Sequence, residues 1–123
     1  MKHEELTEKV IGAFFEVYNT LGYGFLEKVY ENALCLEFEK RDISFSRQVP
    51  IKVRYCDRVV GEYVADLVIA DLVIVELKAV KTLLPQHEAQ LLNYLKATEV
   101  EVGLILNFGP AAKVVRKVVD NPA

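Results

Sequence analysis

The sequence has no tryptophan and only two cysteines, and no apolar run in it is long enough to cross a membrane. A membrane-spanning helix needs about 18 consecutive apolar residues. Cys35 and Cys56 lie far apart without C-x-x-C spacing, which predicts free thiols rather than a zinc site or a disulfide framework. The charged N-terminus, MKHEELTEKV, lacks the apolar segment of a secretory signal peptide. Together these absences predict a cytoplasmic protein that does not interact with membranes.

A strongly basic charge balance is also absent, since the net charge is −3 at pH 7. Proteins that bind nucleic acid without specificity usually carry a basic domain, so any such site here must be a local patch. The basic residues that could contribute to it are Arg47, Lys52, Arg54, Arg58, Lys81, Lys96 and Arg116. What the chain does have is core-forming material, because 52% of its 123 residues are hydrophobic. This composition predicts one globular domain over residues 1–123.

Hydrophobic periodicity predicts two helices followed by three strands. LTEKVIGAFFEVYNTLG and the segment from Leu26 to about Arg41 repeat apolar residues at helical spacing. Apolar and polar residues then alternate in QVPIKVRY, which is typical of a half-buried strand, and a turn follows at residues 56–58. Two more strands are predicted at about residues 61–69 and 72–79.

The last third of the chain predicts a β-α-β crossover. Pro85 starts a third helix, and VGLILNF is an apolar strand that should lie parallel to LVIVELK. The segment AKVVRKVV fits a helix or a strand, and its valine content favours a strand. The order is therefore ααβββαβ(β), an α/β (α+β) fold with a mixed sheet of four or five strands flanked by helices.

Three charged residues, Asp66, Glu76 and Lys78, interrupt the most hydrophobic strands. Alternation places Glu76 and Lys78 on one face. A two-residue loop at Ala70-Asp71 would pair Asp66 with Val75 and put Glu76 on the opposite face. An odd-length connection, or a one-residue bulge, would instead bring the two carboxylates side by side.

Two adjacent carboxylates are unfavourable unless a cation joins them. At about 4 Å they repel by roughly 4 kcal/mol at an effective dielectric constant of 20. Mg²⁺ commonly takes one or two carboxylates and completes its shell with waters and phosphate oxygens. The alternative interpretation is that Asp66 ends a strand at the rim of the sheet, while Glu76 and Lys78 form a solvated pair.

Four short motifs follow one another in a specific order: Gly24-x-x-Glu27-x-x-Tyr30, then Asp66, then Glu76-Leu77-Lys78, then Gln90-x-x-x-Tyr94. Together they resemble the GxxExxY proteins, a family within the PD-(D/E)XK nuclease-like superfamily. The resemblance covers nearly the whole chain, although Ala65 stands where the PD pair has proline. It implies a restriction-endonuclease-like core.

The resemblance also implies an activity and roles for individual residues. The activity is hydrolysis of phosphodiester bonds in nucleic acid, DNA before RNA, by a water bound to Mg²⁺ or Mn²⁺. The implied metal ligands are Asp66, Glu76, the backbone carbonyl of Leu77, and Glu27. The implied catalytic residues are Asp66, Glu76, Lys78 and Gln90, and the implied substrate-binding residues are Tyr94 and Tyr30. Lys81, one of the basic residues named above, is a further candidate for substrate binding through a phosphate.

Helical spacing supports part of this assignment. Gln90 and Tyr94 are i, i+4 neighbours, and Glu27 and Tyr30 are i, i+3 neighbours. Helices packed on one face of the sheet would deliver a carboxylate, an amide and a phenol over the charged strands. The alternative is that both tyrosines belong to the core and that Glu27 is an ordinary surface charge.

Two other functions fit the same residues. The short chain and its acidic charge suit a non-catalytic nucleic-acid-binding or interaction module that retains the nuclease fold. A small cleft in an acidic protein would suit a metal-dependent enzyme acting on a small phosphorylated substrate. A homodimer would give so small a domain a second surface with which to grip a duplex.

Overall fold

The computed structural model describes residues 2–120 and contains three helices and five strands. Their order, ααβββαββ, is the predicted one, and the ambiguous last segment is a strand. Three predicted strand ends shift, since β2 begins at Arg58 and β3 runs from Val73 to Lys78. The elements are α1 (Glu4–Leu21), α2 (Glu27–Lys40), β1 (Phe45–Tyr55), β2 (Arg58–Ile69), β3 (Val73–Lys78), α3 (Pro85–Lys96), β4 (Val102–Phe108) and β5 (Ala112–Val118).

The five strands form one mixed sheet in the order β1-β2-β3-β4-β5. β3 and β4 run parallel on either side of the α3 crossover, as predicted, and the other neighbouring pairs are antiparallel. The fold agrees with a restriction-endonuclease-like core. Among the described residues, no helix is both long and apolar enough to span a membrane.

Helices cover both faces of the sheet. Helices α1 and α2 pack on one face, against strand residues such as Val75 and Leu77. Helix α3 packs on the other, against residues such as Ile74 and Ile105. The expectation that α2 and α3 share a face is therefore wrong. An amphipathic stripe identifies the buried side of a helix, but it does not say which face of the sheet that side covers.

A three-residue connection, residues 70–72, joins β2 to β3. Its first two residues, Ala70 and Asp71, have left-handed φ angles of 52° and 60°. Ile69 pairs with Val73, which leaves an odd number of residues in the connection. Of the two arrangements that the sequence left open, this is the one that directs both carboxylates to the same face.

Hydrogen bonds join the end of β4 to the segment that follows β3. The buried side chain of Asn107 accepts a hydrogen bond from the Val80 N–H at 3.0 Å and donates one to the Val80 carbonyl at 3.0 Å. Gly109 passes so close that an added Cβ would stand 2.3 Å from the Val80 carbonyl oxygen. This contact fixes the direction in which the chain leaves Lys78.

Replacing Gly109 by alanine should destabilise the protein, because the new methyl group would overlap backbone that cannot move without breaking the Asn107 contact. We expect Gly109→Ala to lower the free energy of unfolding by about 1–3 kcal/mol or more, measured by urea denaturation. Gly61→Ala is the matched control, since its Cβ would meet Tyr63 at 3.7 Å and Val53 at 3.9 Å, which are ordinary contacts. Equal stability of the two variants would contradict this account of the contact.

Candidate active site

Asp66 and Glu76 lie beside each other where the pairing of β2 with β3 ends. Regular pairing stops one residue short of them. There, the backbone N–H of Asp66 donates to Glu76 Oε1 at 3.1 Å, and the backbone N–H of Leu77 donates to Asp66 Oδ2 at 2.8 Å. Each carboxylate thus accepts a hydrogen bond from the strand opposite its own. We call Asp66 and Glu76 the carboxylate pair.

The pairing of β2 with β1 is also irregular at Asp66. Gln48, which would lie opposite Asp66, has a left-handed φ of 50° and is missing from the register. Ala65 and Leu67, on either side of Asp66, contact the clusters on opposite faces of the sheet. In a regular strand these two residues would share a face. Asp66 therefore lies at a local switch in the strand, where its N–H is available to the Glu76 carboxylate.

A buried charge on α2 holds the irregular part of β1. Glu31 is only 4% exposed and accepts hydrogen bonds from Gln48 Nε2 at 2.7 Å and from Arg47 Nη2 at 2.8 Å. Lys28 adds a third contact at 3.2 Å. Burial by itself would raise the pKa of Glu31, but the hydrogen bonds from Arg47 and Lys28 outweigh it, and the pKa is lowered. Glu31 is therefore an anion that anchors the strand next to the carboxylate pair.

Glu31 and Gln48 are not among the site residues that the sequence predicts. One signal was present, because Glu31 stands four and seven residues before Cys35 and Phe38, and both of these are buried. A charged residue on the buried stripe of a helix needs partners. Arg47, a candidate for the local basic patch, is exposed, but it is paired with Glu31.

Burial raises the pKa of Glu76 to about 8, and the charge of Asp66 adds to the shift. The backbone hydrogen bond from Asp66 and the positive charge of Lys78 act in the opposite direction. Lys78 is half-buried at the end of β3, on the same face as Glu76. The site thus combines a carboxylate that resists ionisation with an amine two residues away.

Glu27 is the first residue of α2 and lies near Asp66 and Lys78. Although Glu27 is exposed, partial desolvation of its carboxylate raises its pKa, while Lys78 lowers it and Asp66 raises it. Glu27 therefore lies within electrostatic range of both residues. Within residues 2–120, however, no three His, Cys, Asp or Glu side chains are close enough together to hold a metal ion. The three expected acidic ligands lie in one region without forming a closed cluster.

Tyr30 supports the loop that precedes Glu27. Its side chain is fully buried and stacks on Phe108 with ring centroids 4.1 Å apart. Its hydroxyl donates to the Gly22 carbonyl at 2.6 Å and accepts from the Phe25 N–H at 3.3 Å. With no exposed surface, Tyr30 does not suit the predicted role of contacting substrate. The motif tyrosine instead belongs to the core, and it positions the start of α2.

Gln90 and Tyr94 meet on α3 as their i, i+4 spacing predicts. Gln90 is exposed, and its Nε2 donates to the Tyr94 hydroxyl at 2.7 Å. Tyr94 is 5% exposed. Burial raises its pKa, and the nearby charge of Glu76 adds to the shift. Lys81 lies exposed in the loop between β3 and α3.

The raised pKa of Glu76 predicts how the stability of the metal-free protein varies with pH. Between the unfolded pKa of about 4.5 and the folded pKa of about 8, the folded state binds more protons than the unfolded state. Stability should therefore fall as pH rises through this window, by up to about 1.4 kcal/mol per pH unit, and level off above it. Urea denaturation with a chelator present measures this slope.

Glu76→Gln should flatten this dependence, because an amide oxygen still accepts the Asp66 N–H but does not titrate. Glu62→Gln, an exposed position on β2, is the matched control and should retain the slope of the unmodified protein. A slope that is unchanged in Glu76→Gln would show that another group is responsible.

Comparison with known proteins agrees with the observed fold. A family model of the PD-(D/E)XK nuclease superfamily matches residues 4–118. The crystal structure of the protein SSO0001 aligns with a TM-score of 0.57 and 19% sequence identity, over 96% of this chain and 61% of that one, a likeness that shows the fold alone. This chain thus spans less than two thirds of that protein's length, and a search of curated proteins found no match. Because the family match extends over nearly all of the sequence, this protein belongs to the PD-(D/E)XK nuclease superfamily.

Proposed function

We propose that this protein is a nuclease of the GxxExxY type that uses Mg²⁺ or Mn²⁺ to hydrolyse phosphodiester bonds, with DNA as the first substrate to test and RNA as the second. The observation that carries the proposal is the carboxylate pair. Its two acids come from neighbouring strands and share one face, and each accepts a hydrogen bond from the backbone of the opposite strand. Lys78 follows two residues after Glu76. Membership of the superfamily supports a nucleic-acid substrate.

The donor groups suit a hard divalent cation. Mg²⁺ needs only one or two carboxylates when waters and substrate phosphate supply the rest of its shell, so the carboxylate pair is a sufficient acidic set. We propose the Leu77 carbonyl and Glu27 as the further protein ligands. A bound cation would favour the ionised form of Glu76, which burial disfavours. It would also neutralise phosphate charge and make a water molecule a better nucleophile.

The chain's own residues would orient the reactants. Hydrolysis forms a bond from a water oxygen to phosphorus and breaks the bond to the leaving sugar oxygen, which gains a proton as the water loses one. The Lys78 ammonium group would hold that water or neutralise the charge that develops on the phosphate oxygens. Gln90 fixes the Tyr94 hydroxyl. The exposed Lys81 would contact a phosphate of the substrate.

A non-catalytic nucleic-acid-binding module with the nuclease fold is the second candidate. Two observations favour it. Both members of the carboxylate pair already accept a backbone N–H, and no three-acid cluster is assembled among residues 2–120. In this case, the pair would serve only to join β2 to β3.

The proposal includes two further expectations, a cytoplasmic location and a homodimer. Cys35 and Cys56 are free thiols, which suits the reducing cytoplasm. A homodimer would provide a second surface if the substrate is a duplex, and sedimentation of the protein with and without duplex DNA would detect it.

Cleavage of labelled DNA and RNA in the presence of Mn²⁺ tests the catalytic proposal. We expect Asp66→Ala and Lys78→Ala to lower the cleavage rate by about a hundredfold or more, because each removes a charge that acts on the transition state. Lys40→Ala, an exposed substitution at the end of α2, is the control and should cleave normally. Activity that survives in both site variants, with their folding verified by circular dichroism, would refute the mechanism.

Stabilisation by Mn²⁺ separates the two candidate functions. If the carboxylate pair binds the cation, unfolding should become harder by about 2.7 kcal/mol at a hundredfold excess of Mn²⁺ over its dissociation constant. Asp66→Asn should lose this gain, because the amide removes one of the two charges. Thermal denaturation measures the effect, and isothermal titration gives the dissociation constant. A protein that binds nucleic acid but gains no stability from Mn²⁺ would favour the non-catalytic module.

A further inference from the structure

A groove of about 680 Å³ lies between α3 and the two-stranded ribbon that β1 and β2 form beyond the main sheet. Residues 52–54 and Tyr63 line the ribbon side of this groove, and α3 residues including Asn93 line the other side. Strand β2 pairs with β3 only over residues 67–69, so the ribbon has no third strand here. We call this space the ribbon groove.

The charged residues that line the ribbon groove are all basic. Lys52 and Arg54 come from β1, and Lys96 comes from the end of α3. Among the described residues, no aspartate or glutamate lines the groove. Glu62 lies opposite Lys52 in the register of β1 with β2, but it does not line the groove. A groove whose charged residues are all basic favours an anionic ligand, and repeated phosphates suit several lysine and arginine side chains at once.

The same groove contains a half-exposed aromatic side chain that suits stacking on a base. Tyr63 is 48% exposed, and its ring lies 5.6 Å from that of Tyr94, at an interplanar angle of 47°. Tyr94 is buried beneath it and braces it. Bases of unpaired nucleic acid stack on exposed aromatic rings, whereas the bases of a duplex are stacked on each other. A braced, half-exposed ring beside three basic side chains therefore suits an unpaired base with its phosphates.

The ribbon groove borders the candidate active site. Gln90 and Tyr94 line it, and the Tyr94 hydroxyl lies close enough to Glu76 to be affected by its charge. The groove therefore lies beside the carboxylate pair, although neither Asp66 nor Glu76 is among its lining residues.

The volume of the groove limits what it can hold. Cavities of roughly 300–1,000 Å³ accept ligands of small-molecule size, and the groove falls within that range. A short length of single strand matches this size, but a double helix does not.

We propose that the ribbon groove binds single-stranded nucleic acid and leads the strand to Asp66 and Glu76. This inference rests on the proposed nuclease function and specifies its substrate as an unpaired strand or a frayed end. Lys52, Arg54 and Lys96 contact phosphates, and Tyr63 stacks on a base. One copy of the chain is sufficient for such a substrate.

Fluorescence anisotropy on the full chain, in buffer with a chelator, tests binding separately from cleavage. The probes are labelled oligothymidine, oligouridine and a DNA hairpin without overhangs. We expect tighter binding of a single strand than of the hairpin, and the stronger of the two single strands identifies DNA or RNA as the ligand. Tyr63→Ala should weaken single-strand binding about tenfold. The Lys52→Ala/Arg54→Ala double variant should reduce the slope of log affinity against log salt by about 1.4.

Two controls match these variants. Tyr55→Ala removes a tyrosine that is 73% exposed on the same ribbon and does not line the groove. Lys9→Ala/Lys40→Ala removes two exposed charges from α1 and α2, on the far face of the sheet. Both controls should bind as the unmodified protein does. Equal weakening by Tyr63→Ala and Tyr55→Ala, or hairpin binding as tight as single-strand binding, would overturn the proposal.

The binding and cleavage results distinguish this inference from the function on which it rests. Tight single-strand binding that depends on Tyr63, with no cleavage in Mn²⁺, would support the groove as a binding site and reject the nuclease. Cleavage that depends on Asp66 but is unchanged on single strands in Tyr63→Ala and in the lysine–arginine double variant would retain the nuclease and reject the groove.

Discussion

The candidate site depends on two hydrogen bonds across the strands, one from the Asp66 N–H to Glu76 and one from the Leu77 N–H to Asp66. Two ionised carboxylates about 4 Å apart would repel by an amount on the order of 4 kcal/mol at an effective dielectric constant of 20. A hydrogen bond to a charged group contributes about 1.5–3 kcal/mol, so the two backbone donors offset a repulsion of similar size. The pKa of Glu76 is nevertheless raised to about 8, first by burial and then by the charge of Asp66. The fold therefore keeps the two acids together without a cation, and a bound cation would offset the cost of ionising Glu76.

The surrounding structure fixes this pair from three directions. The odd-length connection at residues 70–72 sets the register that places both carboxylates on one face. On the far side of β2, Glu31 holds Gln48 in the conformation that interrupts pairing at Asp66. Beyond Lys78, the Asn107 side chain forms two hydrogen bonds with the Val80 backbone and directs the chain away from the site. Each of these is a hydrogen-bonded or backbone constraint, so the site is formed by the scaffold and does not depend on mobile side chains alone.

The order of elements could be predicted because it depends on local periodicity, whereas the site geometry depends on features that periodicity does not encode. The register of β2 with β3 depends on whether Ala70, Asp71 and Leu72 all belong to the connection between these strands. The sequence there lacks the Asn-Gly or Asp-Gly signal of a two-residue turn. The motif residues were identified through the family resemblance. The same resemblance predicted that Tyr30 binds substrate, whereas the Tyr30 hydroxyl is hydrogen-bonded to the backbone of Gly22 and Phe25. The ribbon groove joins Lys52 to Lys96, residues that only the folded chain brings together.

Net charge is a weak guide to nucleic-acid binding in a protein organised in this way. Residues 1–42 contain nine acidic and five basic side chains, and they form α1 and α2, on the face of the sheet opposite α3. Packed layers are about 10 Å apart, while charges in physiological salt are screened over about 8 Å. The acids of α1 and α2 therefore reduce the potential at the ribbon groove much less than the total of −3 suggests. What matters to an approaching phosphate is the local set of Lys52, Arg54 and Lys96, which no acidic side chain among the described lining residues opposes.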